Sequence, residues 1–270
     1  MSQSTSGRSA DMPSAARAST ILRTILSALG DYLTRSVSLF WIAPAVVALI
    51  VVPEFAQHVA EIRLGMFDSA AAAKIAGGDP LRWAFGYVKI AGLVLTFIAS
   101  ARFWWCRTYG GRWYDVRRLA WLRLIVGFVL FMAIGSVTEL VEPLTGQKAP
   151  LALIIVATLL SLPYLFVMLA GLFGDRTTPM KALVTKSWPW LLLVALLAPL
   201  LFAPLSWLHG MNHRWALGAP DAAVWALMIF DSFVVGLMAS SIGAALFVAY
   251  DRFFKSNETK GETGDDGTKI

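Results

Sequence analysis

Two ionisable side chains stand inside long apolar runs, Lys89 within 83–100 and Asp231 within 222–250. A charge at membrane depth is costly, so such residues turn toward the interior of a bundle and pair with one another. Lys89 lies about six residues, and Asp231 about nine, from the same end of their runs, which at about 1.5 Å per residue gives similar depths. The expectation is a Lys89–Asp231 pair. It serves either as structural glue or as the lining of a path for protons or a small solute.

The three histidines, His58, His209 and His213, all fall in segments on that same side. Glu54, Glu61, Glu139, Glu142 and Asp221 share it. Histidines at i and i+4 of a helix reach one metal ion, and a carboxylate completes the set. Gly210 and Asn212 suggest a loop instead, where that spacing loses its meaning, and no HExxH sequence occurs. A metal site at His58, His209 and His213 is thus the least favoured chemistry. Neither a cofactor nor a catalytic residue is expected.

A third group is the run ARFWWCRTYGGRWYDVRRLAW at 101–121. Arg102, Trp104, Trp105, Arg107, Arg112, Trp113, Arg117 and Arg118 interleave guanidinium groups with indoles. Indoles settle at headgroup level and arginines meet lipid phosphates. The expected role is an interfacial anchor facing anionic lipid, and a specific lipid-headgroup pocket is the less favoured alternative. Cys106 within the run is the single cysteine of the chain, so no disulfide forms inside it.

Composition dictates the elements that position these residues. Of 270 residues, 57% are hydrophobic and 15% charged, where a soluble domain carries roughly 25% charged residues. The mean hydropathy is +0.65. These values exclude an ordinary soluble enzyme, a disordered chain and a small disulfide scaffold. A membrane-spanning helix needs about 20 mostly apolar residues. Six runs qualify: 36–53, 83–100, 119–138, 149–174, 187–208 and 222–250. None alternates in the strand manner, so barrel strands are excluded.

The expected fold is all-α: a polytopic membrane protein with a bundle of six transmembrane helices over 36–254. Ile21, Leu22, Ile25, Leu26, Leu29, Tyr32 and Leu33 recur at helical spacing before it, which predicts an amphipathic surface helix over 19–35. Residues 1–18 and 255–270 read as disordered tails. Pro44, Pro163, Pro199 and Pro204 fall inside spans, where neighbouring helices satisfy the carbonyls they free. Gly236, Ser240 and Ala244 form a small-residue stripe for close helix packing, within the chain or with a second copy.

Basic residues set the orientation. Of 23 Lys and Arg, seventeen lie in the amino-terminal segment, the second and fourth connections and the tail, five lie in the other connections, and Lys89 is in a span. The positive-inside rule then places both termini in the cytoplasm. The net charge of +6 describes a basic inner face and not a nucleic-acid-binding surface.

The segment KALVTKSWPWLLL at 181–193 resembles the loop entering the fifth helix in bacterial six-helix membrane proteins, among them the membrane domain attached to some glycerophosphodiester phosphodiesterases. The run FVAYDRF at 247–253 is similar to their exit helix. The likeness covers the carboxy-terminal half and implies an inner-membrane protein. It lends no catalytic residue, because the phosphodiesterase domain has no counterpart here. The leading expectation is a non-enzymatic scaffold or accessory subunit. Its partners would be the bilayer, anionic lipid at the cytoplasmic face, a second copy or another membrane protein. The alternatives are a solute or lipid transporter with Lys89 and Asp231 at its path, and an outer-face metal-dependent enzyme.

Overall fold

The computed structural model describes residues 14–262; of the tails expected at 1–18 and 255–270, residues 1–13 and 263–270 lie outside them. Every described element is helical. In chain order these are α1 (Ser14–Ile42), α2 (Pro44–Arg63), α3 (Ala70–Ala76), α4 (Pro80–Tyr109), α5 (Trp121–Gly135), α6 (Val141–Thr145), α7 (Leu151–Phe173), α8 (Met180–Thr185), α9 (Trp188–Ala216) and α10 (Asp221–Glu262). Short 3-10 turns lie at Val116–Arg118 and Ser136–Leu140. Six helical stretches are long and apolar enough to cross a membrane: α2, α4, Trp121–Thr145, α7, α9, and Asp221–Asn257 of α10.

Local chemistry starts these helices. Pro44 and Pro80 occupy first-turn positions of α2 and α4, where a missing N–H leaves nothing unpaired. Asp79 caps α4 by accepting from the Leu81 N–H at 2.8 Å, and Ser69 caps α3 from Ala72 at 3.1 Å. The long helix α10 packs against α1, α2, α4 and α9, while α5 pairs with α7.

Three boundaries differ from those expected. The helix α1 runs unbroken through 36–42 and bends away only at Ala43. The first span therefore starts at Pro44 and continues ten residues past Pro53, to Arg63. Pro53 withholds one N–H but does not end the helix, because the surrounding bundle supplies the packing that the lost hydrogen bond does not. At the other terminus α10 stays helical through 255–262, where disorder was expected.

Both ends of the described residues belong to one end of the bundle. Arg252 Nη2 near the end of α10 lies 2.7 Å from Asp31 Oδ2 on α1. Ala28, Tyr32, Ser36 and Leu39 form the buried face of α1, whereas Leu22, Ile25, Leu26 and Leu33 stay exposed. The core at this end is aromatic, with Trp105 stacked on Phe173 at 4.7 Å and Tyr250 set between Phe166 and Phe173. The opposite end has a polar core.

Candidate metal centre

Glu54, Gln57, His58 and Glu61 sit at i, i+3, i+4 and i+7, so one face of α2 carries all four. All four are buried. The helix α4 reaches this face because Gly92 lets it approach closely: a Cβ there would lie 2.4 Å from the Leu49 carbonyl, the group that Pro53 frees. In this antiparallel contact Lys89 Nζ meets Glu54 Oε1 at 3.0 Å, and seven residues earlier Arg82 Nε meets Glu61 Oε1 at 2.9 Å, seven residues after Glu54.

The helices α9 and α10 close the other side. Gly210 and Asn212 lie in α9, not in a loop, so His209 and His213 keep their i, i+4 spacing and project from one helix face. Both point at Asp231 of α10. His209 Nδ1 is 2.6 Å from Asp231 Oδ2, His58 Nε2 is 3.1 Å from it and His213 Nε2 is 3.6 Å away. His58 Nε2 is also 3.3 Å from Glu54 Oε1. Three imidazoles thus converge on one carboxylate oxygen. The ring centroids of His58 and His213 are 5.2 Å apart, and those of His209 and His213 are 4.9 Å apart.

Donor spacing decides what this cluster can hold. A tetrahedral zinc ion with bonds of about 2.0–2.1 Å separates its ligand atoms by about 3.3 Å. The observed separations from Asp231 Oδ2 and Glu54 Oε1 to the ring nitrogens, 2.6 to 3.6 Å, bracket that value. In two overlapping sets of three, His58–His213–Asp231 and Glu54–His209–Asp231, the donor atoms all lie within 4.8 Å of one another. Glu54 Oε2 is buried with no hydrogen-bond partner, and leaving a carboxylate oxygen unpaired in a low dielectric is costly. A cation beside it would remove that cost.

Around the donors lies a second layer that fixes their orientation. Glu61 Oε2 is 3.1 Å from His58 Nδ1 and so holds the ring with Nε2 turned inward. Gln57 Nε2 donates to Glu61 Oε1 at 3.0 Å. Asn212 Nδ2 donates to Asp231 Oδ1 at 2.8 Å, leaving Oδ2 to the imidazoles. The inner members Glu54, His58, Glu61 and Asp231 are at most 1% exposed, while the side chains of His209 and His213 remain about a quarter open, at 26% and 24%. The cluster therefore has a closed floor and an accessible rim.

The expected Lys89–Asp231 pair does not form. Lys89 is held by Glu54, and Asp231 is held by the histidines and Asn212. Lys89 meets a nearer acid, Glu54, on the facing helix α2. Glu139 and Glu142 lie exposed near α6, and Asp221 lies exposed at the start of α10, all outside the cluster. No protein-family model matches the chain, and no curated protein or solved structure is similar to it.

The arginine–indole segment divides in two. Arg102, Trp104 and Trp105 are buried. Arg102 donates from Nε to the Trp113 carbonyl at 2.6 Å, from Nη2 to the Asp115 carbonyl at 2.6 Å, and from Nη1 to the Leu172 carbonyl. Its guanidinium thus ties the end of α4 to the following loop and to α7. Trp104 lies under the Arg35 guanidinium at 4.9 Å. Arg107, Arg112, Arg117 and Arg118 are exposed, and Trp113 is half-buried.

Proposed function

We propose that this chain is a metal-dependent multi-pass membrane protein whose centre is a divalent first-row ion, zinc foremost, bound by His58, His209, His213, Asp231 and Glu54. One observation carries the reading: three imidazole nitrogens converge on Asp231 Oδ2 beside an unpartnered, buried Glu54 oxygen. A donor set of imidazole and carboxylate suits zinc, iron, nickel and copper rather than calcium or magnesium. The open rim at His209 and His213 suits a catalytic ion that keeps a position for a ligand, since structural sites are closed.

Charge points the same way. The carboxylates of Glu54, Glu61 and Asp231 face Lys89 and Arg82, leaving one negative charge with neutral histidines. A divalent ion reverses that to one positive charge, so the centre would favour an anionic oxygen ligand. Stability alone does not call for such a core, because buried ionic groups are often no more stabilising than apolar ones of equal volume. The excess of basic residues in the amino-terminal segment, the second and fourth connections and the tail, seventeen against five in the other connections, supports an orientation with the termini inside and the centre toward the outer face.

A second reading has its own support. In the arrangement described, both ring nitrogens of His58 lie on carboxylates, as they would around a bound proton. The cluster would then be a proton site in a transporter. Chelation separates the two readings. For a metal centre, stripping with a chelator should lower the thermal unfolding midpoint and added zinc should restore it. At zinc concentrations about 100-fold over Kd the expected gain is about 2.7 kcal/mol. A midpoint indifferent to chelator and zinc, yet responsive to pH, would favour the proton.

A further inference from the structure

We propose that the end bearing the termini carries a separate binding site for a phosphate ester, at a cleft lined by Arg102, Trp105, Cys106, Arg117, Arg118 and Arg176. The cleft has a volume of about 380 Å³, within the range of about 300–1,000 Å³ of small-ligand sites. It opens where α4 ends at Tyr109 and α7 ends at Phe173, the level at which helix ends meet lipid headgroups.

Its two walls differ in chemistry. On one side the Trp105 indole stacks on the Phe173 ring at 4.7 Å with 7° between planes, an apolar surface suited to a glycerol or acyl stem. On the other side stand three exposed guanidinium groups, Arg117, Arg118 and Arg176. The helix ends oppose an anion, since each helix C-terminus carries about half a negative charge. Arg102 offsets this by donating to the Leu172 carbonyl in the last turn of α7. Asp115 engages Arg118 only at 3.6 Å, on the exposed side. The surplus is positive, and arginine forks bind phosphate oxygens in pairs.

The ligand is a phosphate ester, supplied either by a lipid headgroup or by a soluble phosphate. Cys106 makes the site readable, because it lies in the cleft and is the single cysteine of the chain. Full-length protein in neutral detergent would be alkylated with N-ethylmaleimide in four conditions: no addition, inorganic phosphate, dihexanoyl phosphatidic acid and dihexanoyl phosphatidylcholine. At about ten times Kd, a bound ligand should slow Cys106 alkylation about tenfold. Slowing by phosphatidic acid but not by phosphate or phosphatidylcholine supports a lipid headgroup, and slowing by phosphate as well supports a soluble phosphate. The double substitution Arg117→Gln with Arg118→Gln should remove the protection, whereas Arg112→Gln, outside the cleft, should keep it. If Cys106 resists alkylation without ligand, the same samples are read by the shift in unfolding midpoint. No effect of either anion, or an effect that survives the double substitution, would overturn the proposal.

Discussion

His58 Nε2 lies 3.1 Å from Asp231 Oδ2, joining α2 to α10 across 173 residues of chain. Both side chains are at most 1% exposed. Two helices that would otherwise meet through apolar contacts are thus locked in one register by a polar one. Asp231→Ala removes the acceptor on which three histidines converge, and should destabilise the protein by about 3–5 kcal/mol, the range for breaking a buried charged contact. Thermal unfolding in detergent measures this, and a change below about 1 kcal/mol would mean that the contact contributes little.

Lys89 and Glu54 should behave as a coupled pair. Lys89→Met leaves Glu54 without its cation, and Glu54→Gln leaves Lys89 without its anion, each at a cost of about 1–3 kcal/mol. The double variant should recover part of the loss. A parallel cycle with Lys89→Met and Asp231→Asn should show less coupling, since the two residues meet only through Glu54 and His58. Equal coupling in both cycles would remove the assignment of Lys89 to Glu54.

Gly92 and Gly171 offer a comparison between the two halves of the bundle. A Cβ on Gly92 would lie 2.4 Å from the Leu49 carbonyl oxygen, and one on Gly171 would lie 2.2 Å from the Leu124 nitrogen. Both Gly→Ala changes force helices apart and should cost about 1–3 kcal/mol. Gly92→Ala should also weaken zinc binding, because it moves α4, and with it Lys89 and Arg82, off the acids of α2. Gly171→Ala acts between α5 and α7 and should leave metal affinity unchanged. Comparing unfolding midpoints with zinc titrations of the two variants makes the distinction.

Much of this architecture was legible in the sequence, because six runs of low charge and high hydropathy can be buried only as helices in a bilayer. The site was less legible. A search for stretches without charge ends the first span at Pro53, which assigns Glu54, His58 and Glu61 to a loop and hides their i, i+4, i+7 face. Gly210 and Asn212 hid His209 and His213 in the same way. In a membrane helix, proline, glycine and asparagine are poor stop signals, since packing outweighs local propensity. With Glu54 assigned to a loop, Asp231 was the only acid at the depth of Lys89. The signal available was four polar residues on one helical face of 44–63, a pattern that solvent exposure does not explain.

At the end bearing the termini, Asp175 should make stability depend on acid. Burial pushes its carboxyl up, but the Thr178 side chain and backbone N–H, the Tyr250 hydroxyl and Thr177 together hold it below the usual carboxylate range. The Tyr250 hydroxyl donates to Asp175 Oδ2 at 2.7 Å. Because the folded value lies below the unfolded one, the stabilisation is fully present above about pH 3.9 and is lost as pH falls through the folded value. Asp175→Asn should cost about 1–3 kcal/mol near neutral pH. The gap from the unsubstituted protein should narrow below about pH 4. Unfolding midpoints of both proteins across that range give the comparison, and a constant gap would mean that Asp175 acts by shape alone.

Metal content is the most direct measurement of the central claim. Full-length protein, purified without chelator and exchanged into metal-free detergent buffer, would be assayed by inductively coupled plasma mass spectrometry, then stripped and titrated with cobalt(II) as a coloured probe. About one equivalent of a first-row metal per chain is expected, with cobalt absorption in the visible characteristic of four or five nitrogen and oxygen ligands. His58→Ala and His209→Ala should each lower affinity, as should Glu61→Gln through the orientation of His58, by about 10- to 100-fold for such a supporting residue. Substoichiometric metal together with a cobalt spectrum unchanged by His58→Ala, His209→Ala and Asp231→Ala would contradict a metal centre.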